Sequence, residues 1–154
     1  IWYAATPLIW QKLDEFELMA IPLKHTIPSF AWAFREANTE KVFVICGDTS
    51  SNQTLWAALN DLPRVDAIVI EVSFGDQDHC RAIVSGHYTP ALLAADLQQL
   101  RHRPRLYFTH HKPGQTPAIH EDRHKHAIFN EFICDYLSQD DILAFCFTNK
   151  AIGS

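Results

Sequence analysis

From residue 41 onward the chain alternates short, unbroken apolar runs with segments whose apolar residues recur at helical spacing. The runs 41–46 and 67–72 show almost no alternation of apolar and polar positions, which predicts strands buried on both faces of a sheet. Residues 106–109 and 142–147 predict two further strands, and upstream the stretches 17–24 and 30–35 predict two more. Between them, Leu55, Trp56, Leu59 and Leu62 place one face on a helix over 52–62 that Pro63 closes. A short helix is expected over 76–84. Thr89 is a good N-cap with Pro90 at the first helical position, opening a helix over 90–101 through Leu92, Leu93, Leu97 and Leu100. Ile128, Phe129, Phe132, Ile133 and Tyr136 predict an amphipathic helix over 121–137. Residues 1–16 fit no period. Strands that alternate with helices make an α/β chain with its chemistry at the strand ends.

With 154 residues, 47% of them apolar, the chain can form one compact domain with a sizeable core, and no linker or repeat divides 1–154. A formal net charge of -5 without a basic block argues against affinity for a nucleic-acid backbone, but not against a small phosphate ester held through cations. Apolar stretches are broken well before the ~18 residues that a membrane span needs. Cys46, Cys80, Cys134 and Cys146 form no C-x-x-C pair and read as reduced thiols of a cytoplasmic protein.

Candidate chemistry lies at the ends of these elements. It comprises Lys24-His25-Thr26-Ile27-Pro28-Ser29, Gly47-Asp48-Thr49, Ile70-Glu71-Val72-Ser73-Phe74, Gly86-His87-Tyr88-Thr89-Pro90 and Thr109-His110-His111-Lys112-Pro113. One imidazole at a strand end is usually structural. An ordered series of His, Asp, His, His, each after a strand-and-turn pattern, points to a two-metal hydrolase.

Together these motifs resemble the class-II 3′,5′-cyclic-nucleotide phosphodiesterase family of the metallo-β-lactamase superfamily, over residues 23–114. The pair Gly-His-Tyr-Thr-Pro and Thr-His-His-Lys-Pro is the specific part. The family's early His-x-His-x-Asp-His motif is absent from this chain, whose one His-x-His is His124-Lys125-His126. The resemblance therefore implies the carboxy-terminal half of an αββα sandwich, within a larger metallo-hydrolase domain begun upstream.

It implies residue roles as well. His25, Asp48 and His110 would ligate two divalent cations, Zn2+ foremost, with Asp48 bridging them. An Asx-turn or helix cap is the plain alternative for Asp48. His87 would protonate the leaving alkoxide, with Glu71 accepting from its ring to set the tautomer. Lys112 and Thr89 would bind substrate. His111 neighbours His110, and only one of the two can face the site. His79, His102, His120, His124 and His126 read as surface residues, and Ser73, Asp76 and Asp78 as caps of the 76–84 helix. The function implied is hydrolysis of cyclic AMP or cyclic GMP to the 5′-nucleotide, in the cytoplasm, by a chain able to self-associate. The alternatives are a nuclease like the tRNA 3′-processing enzymes and a non-catalytic half-domain.

Overall fold

The structure, a computed structural model, describes residues 5–36 and 39–143. Among the described residues, seven strands form one sheet in sequence order: β1 Gln11–Leu13, β2 Phe16–Leu23, β3 Ser29–Glu36, β4 Val42–Cys46, β5 Ala67–Glu71, β6 Arg105–Thr109 and β7 Cys134–Tyr136. The strands β1 to β4 pair antiparallel as a meander, and β4 to β7 pair parallel. Pro22 sits inside β2 without breaking it. Its partner Phe30 turns its backbone polar groups away, its carbonyl accepting from Gly47 N at 3.1 Å, and β1 ends opposite Leu18. No ladder donor is needed from Pro22.

Helix α1 (Gln53–Asn60) links β4 to β5, while α2 (His79–Ser85) and α3 (Pro90–Leu97) link β5 to β6. Helix α4 (Thr116–Arg123) and a 3-10 turn at Ala127–Glu131 link β6 to β7. Parallel crossovers are right-handed, and in a sheet ordered as in the sequence they all fall on one face. That face holds the core: Val44, Ile68, Ile70, Leu106 and Phe108 lie beneath Leu55, Trp56, Leu59, Leu93, Leu97 and Ile119. The opposite face carries Phe30, Trp32, Phe34, Phe43, Ile45 and Val69, all partly exposed. Along β4, Val44 is 0% exposed and Ile45 42%. The expectation that 41–46 is buried on both faces is therefore corrected: its residues are apolar on both sides, but among the described residues only one side is covered.

The helix expected over 121–137 does not form as such. Thr116-Pro117 starts α4 earlier, and Ile128 and Phe129 reach the core from the 3-10 turn. Cys134 and Tyr136 then pair with Leu106 and Phe108 as a seventh strand. Spacings of three serve a 3-10 turn as well as an α-helix, so the sequence pattern did not separate them. Helix α3 also stops at Leu97, short of 101. Residues 1–16, without a period in the sequence, include the three-residue strand β1, too short to show one. The strand expected over 142–147 lies outside the described residues from 144 onward. No helix among the described residues is long and apolar enough to cross a membrane.

Candidate metal centre

Strands β2, β4, β5 and β6 point the same way, so their carboxyl ends share one edge of the sheet, where α/β sheets gather ligands. His25 follows β2, Asp48 follows β4, Glu71 closes β5 and His110 follows β6. His87 arrives from the helical side. Gly86 ends α2 in the left-handed conformation (φ 76°), and Thr89 accepts from Leu92 N to open α3. A Cβ at Gly86 would lie 2.9 Å from His25 Nδ1, so this turn needs glycine for both its backbone and its neighbour.

The imidazoles are oriented from behind. His25 Nδ1 donates to the Gly86 carbonyl at 2.9 Å, and His87 Nδ1 donates to Glu71 Oε1 at 2.6 Å. In a neutral ring so held, Nε2 carries the lone pair and faces forward. The ring centroids of His25 and His87 are 5.1 Å apart, and those of His87 and His110 are 5.4 Å apart. His110 Nδ1 lies 2.6 Å from Asp48 Oδ1, and the Lys112 ammonium donates to His110 Nε2 at 2.7 Å. His110 itself has φ 63°, a costly conformation for a residue with a side chain. That kink ends β6 and separates the two histidines: His110 turns to Asp48, while His111 packs 6.1 Å from His120 and 5.8 Å from Tyr136.

Behind His87, Glu71 is 1% exposed and fully engaged. Besides the imidazole it accepts from Thr49 N at 2.9 Å, Ser73 Oγ at 2.6 Å and Tyr88 N at 3.4 Å. A buried carboxylate with this many donors is a rigid support rather than a free base. Beneath it, burial and then the nearby Glu71 charge push the Cys46 thiol up to about 12, so that thiol stays protonated.

One ligand atom from each of His25, Asp48 and His87 falls within 4.8 Å of the others. Tetrahedral ligands at about 2.0–2.2 Å from one zinc ion stand roughly 3.3–3.6 Å apart, so these side chains would draw together by up to about 1.5 Å to hold it. Two imidazoles and a carboxylate fit a divalent cation, and three protein ligands leave a position open for chemistry. His110 stands next to this set, with its ring nitrogens engaged by Asp48 at Nδ1 and by the Lys112 ammonium at Nε2. Among the described residues, the ligands of a second cation are not complete.

No protein-family model matches the chain, and no curated protein matches it. Solved structures do. Unliganded yeast PDE1 superposes with a TM-score of 0.70 at 18% identity, covering 85% of this chain and 46% of the yeast chain. Human tRNase Z, short form (ELAC1), gives 0.64 at 22% identity, covering 87% and 45%. The metallo-beta-lactamase fold protein YhfI from Bacillus subtilis gives 0.65 at 16% identity, covering 88% and 51%. The fold is that of the metallo-β-lactamases. This chain spans about half the length of these three structures.

Within that metallo-β-lactamase frame, several sequence expectations need revision. Asp48 does not cap α1; Asn52 does, accepting from Leu55 N. Thr89 is 0% exposed and its hydroxyl serves α3, which leaves it no contact with a ligand. Lys112, by contrast, lines the cavity beside His87. Ser73 caps nothing and instead donates to Glu71, 3.3 Å from His87 Nδ1 and 3.1 Å from the His110 carbonyl. Asp76 receives Ala91 N of α3 and pairs with His126 Nε2 at 2.7 Å, while Asp78 accepts from Gln115. His120, expected at the surface, stacks 3.7 Å from the Tyr136 ring. The motif Ile-Glu-Val-Ser-Phe held the signal for Ser73, but its long-range partners were invisible in one dimension.

Proposed function

We propose that this edge is the metal-dependent hydrolytic centre of a phosphodiesterase acting on 3′,5′-cyclic nucleotides. The observation that carries the reading is the convergence of four separated polar side chains, His25, Asp48, His87 and His110, with two of the rings held from behind so that Nε2 faces the centre. His25 and Asp48 hold divalent metal, Zn2+ by donor chemistry, with His110 as the third ligand once its ring leaves Asp48 and Lys112; in the structure the ligand atoms grouped within 4.8 Å include His87 in its place. Bound metal supplies Lewis acidity to the phosphate and to the attacking water. Water would add to phosphorus as the P–O3′ bond breaks; His87 in its imidazolium form, with Nδ1–H held by Glu71, would give its Nε2 proton to the departing 3′ oxygen and be restored by the proton that the water gives up. Lys112 neutralises phosphate charge from beside His110. The resemblance of the Gly-His-Tyr-Thr-Pro and Thr-His-His-Lys-Pro motifs points to the cyclic nucleotide, and the fold shared with yeast PDE1 is consistent with it.

The test measures zinc stoichiometry by dialysis and turnover of cyclic AMP beside that of a structured RNA with a 3′ extension. Cyclic AMP hydrolysis that His87→Ala abolishes while bound zinc is retained supports the reading. Loss of zinc in His87→Ala makes His87 a ligand instead. RNA cleavage without cyclic AMP turnover replaces the reading with a nuclease, and zinc-free protein without turnover makes this a non-catalytic half-domain.

A further inference from the structure

A cavity of about 460 Å³ opens beside His87, within the usual span of about 300–1,000 Å³ for small-molecule sites. Its walls include Phe74, Arg81, Ser85, His87, Lys112 and Gln115, with no carboxylate among its lining residues in a chain of net charge -5. Phe74 is 5% exposed and fixed edge-on to His87, with ring centroids 5.9 Å apart. The Arg81 guanidinium lies over the Phe74 ring, 5.4 Å from its centroid, and among the described residues it pairs with no carboxylate. A planar cation braced on a buried aromatic ring presents its other face to a flat partner. Gln115, the one amide in the wall, is spent: its Oε1 accepts from Gly75 N and its Nε2 donates to Asp78, each at 2.9 Å. That leaves no amide in this wall free to read the edge of a base.

We propose that this cavity is a nucleoside subsite in which the base stacks on Arg81 braced by Phe74, and that it accepts adenine and guanine alike. The inference rests on the phosphodiesterase reading, because His87 lines the cavity and the 3′ oxygen it serves carries the ribose and base. Every base has a π-face, so stacking without edge contacts is tolerant of base identity.

The test titrates 5′-AMP, 5′-GMP and ribose 5-phosphate into the zinc-loaded protein, followed by NMR shifts and calorimetry. The expected result is that the two nucleotides bind within about threefold of each other and about tenfold more tightly than ribose 5-phosphate. The exposed Arg81→Ala should bring both nucleotides down to the ribose 5-phosphate level, leaving that sugar and zinc unaffected. Arg81→Lys, which keeps the charge but not the plane, should behave as Arg81→Ala does. The proposal is overturned if ribose 5-phosphate binds as well as the nucleotides, if none of the three binds, or if AMP and GMP differ tenfold or more. It is also overturned if Arg81→Ala weakens all three ligands equally. Cyclic AMP turnover measured in parallel separates the two ideas: turnover without base-dependent binding removes only the subsite, and the binding pattern without turnover removes only the phosphodiesterase.

Discussion

Asp96 on α3 offers a direct test of what holds the segment carrying His87. It is 6% exposed and receives four donors: Ser51 Oγ at 2.7 Å, Trp56 Nε1 at 3.0 Å, Tyr88 Oη at 2.6 Å and, more weakly, Gln99 Nε2 at 3.5 Å. Trp56 and Tyr88 are both 0% exposed, so neither can turn to water. Burial first, and then the adjoining Asp96 charge, pushes the Tyr88 hydroxyl far above its usual range, so it remains a donor at all working pH. Asp96→Ala leaves two buried donors without acceptors, at about 1–3 kcal/mol each, so a loss of about 2–6 kcal/mol is expected. That is a large share of the roughly 5–15 kcal/mol by which domains are stable. Asp96→Asn is the discriminating control. Its amide oxygen can take the Oδ2 position that serves both Trp56 and Tyr88, while its NH2 meets Ser51 Oγ, a hydroxyl able to accept. Asparagine should therefore cost under about 1.5 kcal/mol, the net worth of one neutral hydrogen bond. Urea unfolding followed by tryptophan fluorescence measures both. A loss below about 1 kcal/mol in Asp96→Ala, or equal losses in the two variants, would refute the donor accounting. The result bears on the site because Tyr88 also holds Ser73 N and Phe74 N through its carbonyl.

Three further outcomes are expected. Gly86→Ala forces a side chain into a left-handed position, costing about 1–2 kcal/mol, and presses on His25 Nδ1, so calorimetry should show weaker zinc binding as well as lower stability. For His111 and His120, burial comes first and neighbouring positive charge second in holding their protonation below the ordinary value of 6.5. Their folded-state values are depressed, so the stability they confer is present above about pH 6.5 and lost as pH falls through the folded values. Urea midpoints should thus drop on acidification more steeply in the wild type than in His120→Gln; parallel slopes would count against the burial of that ring. Cys46, protonated and buried, should resist thiol reagents at pH 8 until the protein unfolds, whereas the exposed Cys80 labels at once by mass spectrometry.

Local pattern alone determined much of this protein. Strands β4, β5 and β6 were legible as apolar runs because both their faces are apolar, although among the described residues only one face is covered. Helices α1 and α3 were legible from spacing, with Pro63 closing the first and Thr89 and Pro90 opening the second, since capping satisfies backbone donors locally. Candidate site residues were legible because chemistry sits where strands end, and the sequence shows where each strand ends. Tertiary structure decided what depends on partners far along the chain. The donors to Glu71 come from residues 49, 73, 87 and 88, and the separation of His110 from His111 depends on a backbone kink that no side chain announces. Of residues 121–137 only the first three stay helical, ending α4, and the rest went to a 3-10 turn and a strand because the open edge of β6 offered backbone hydrogen bonds that helical periodicity cannot foresee. Only the folded sheet shows which side of β4 is covered. A strand's pattern records how apolar each face is, whereas burial depends on which element arrives to pack against it.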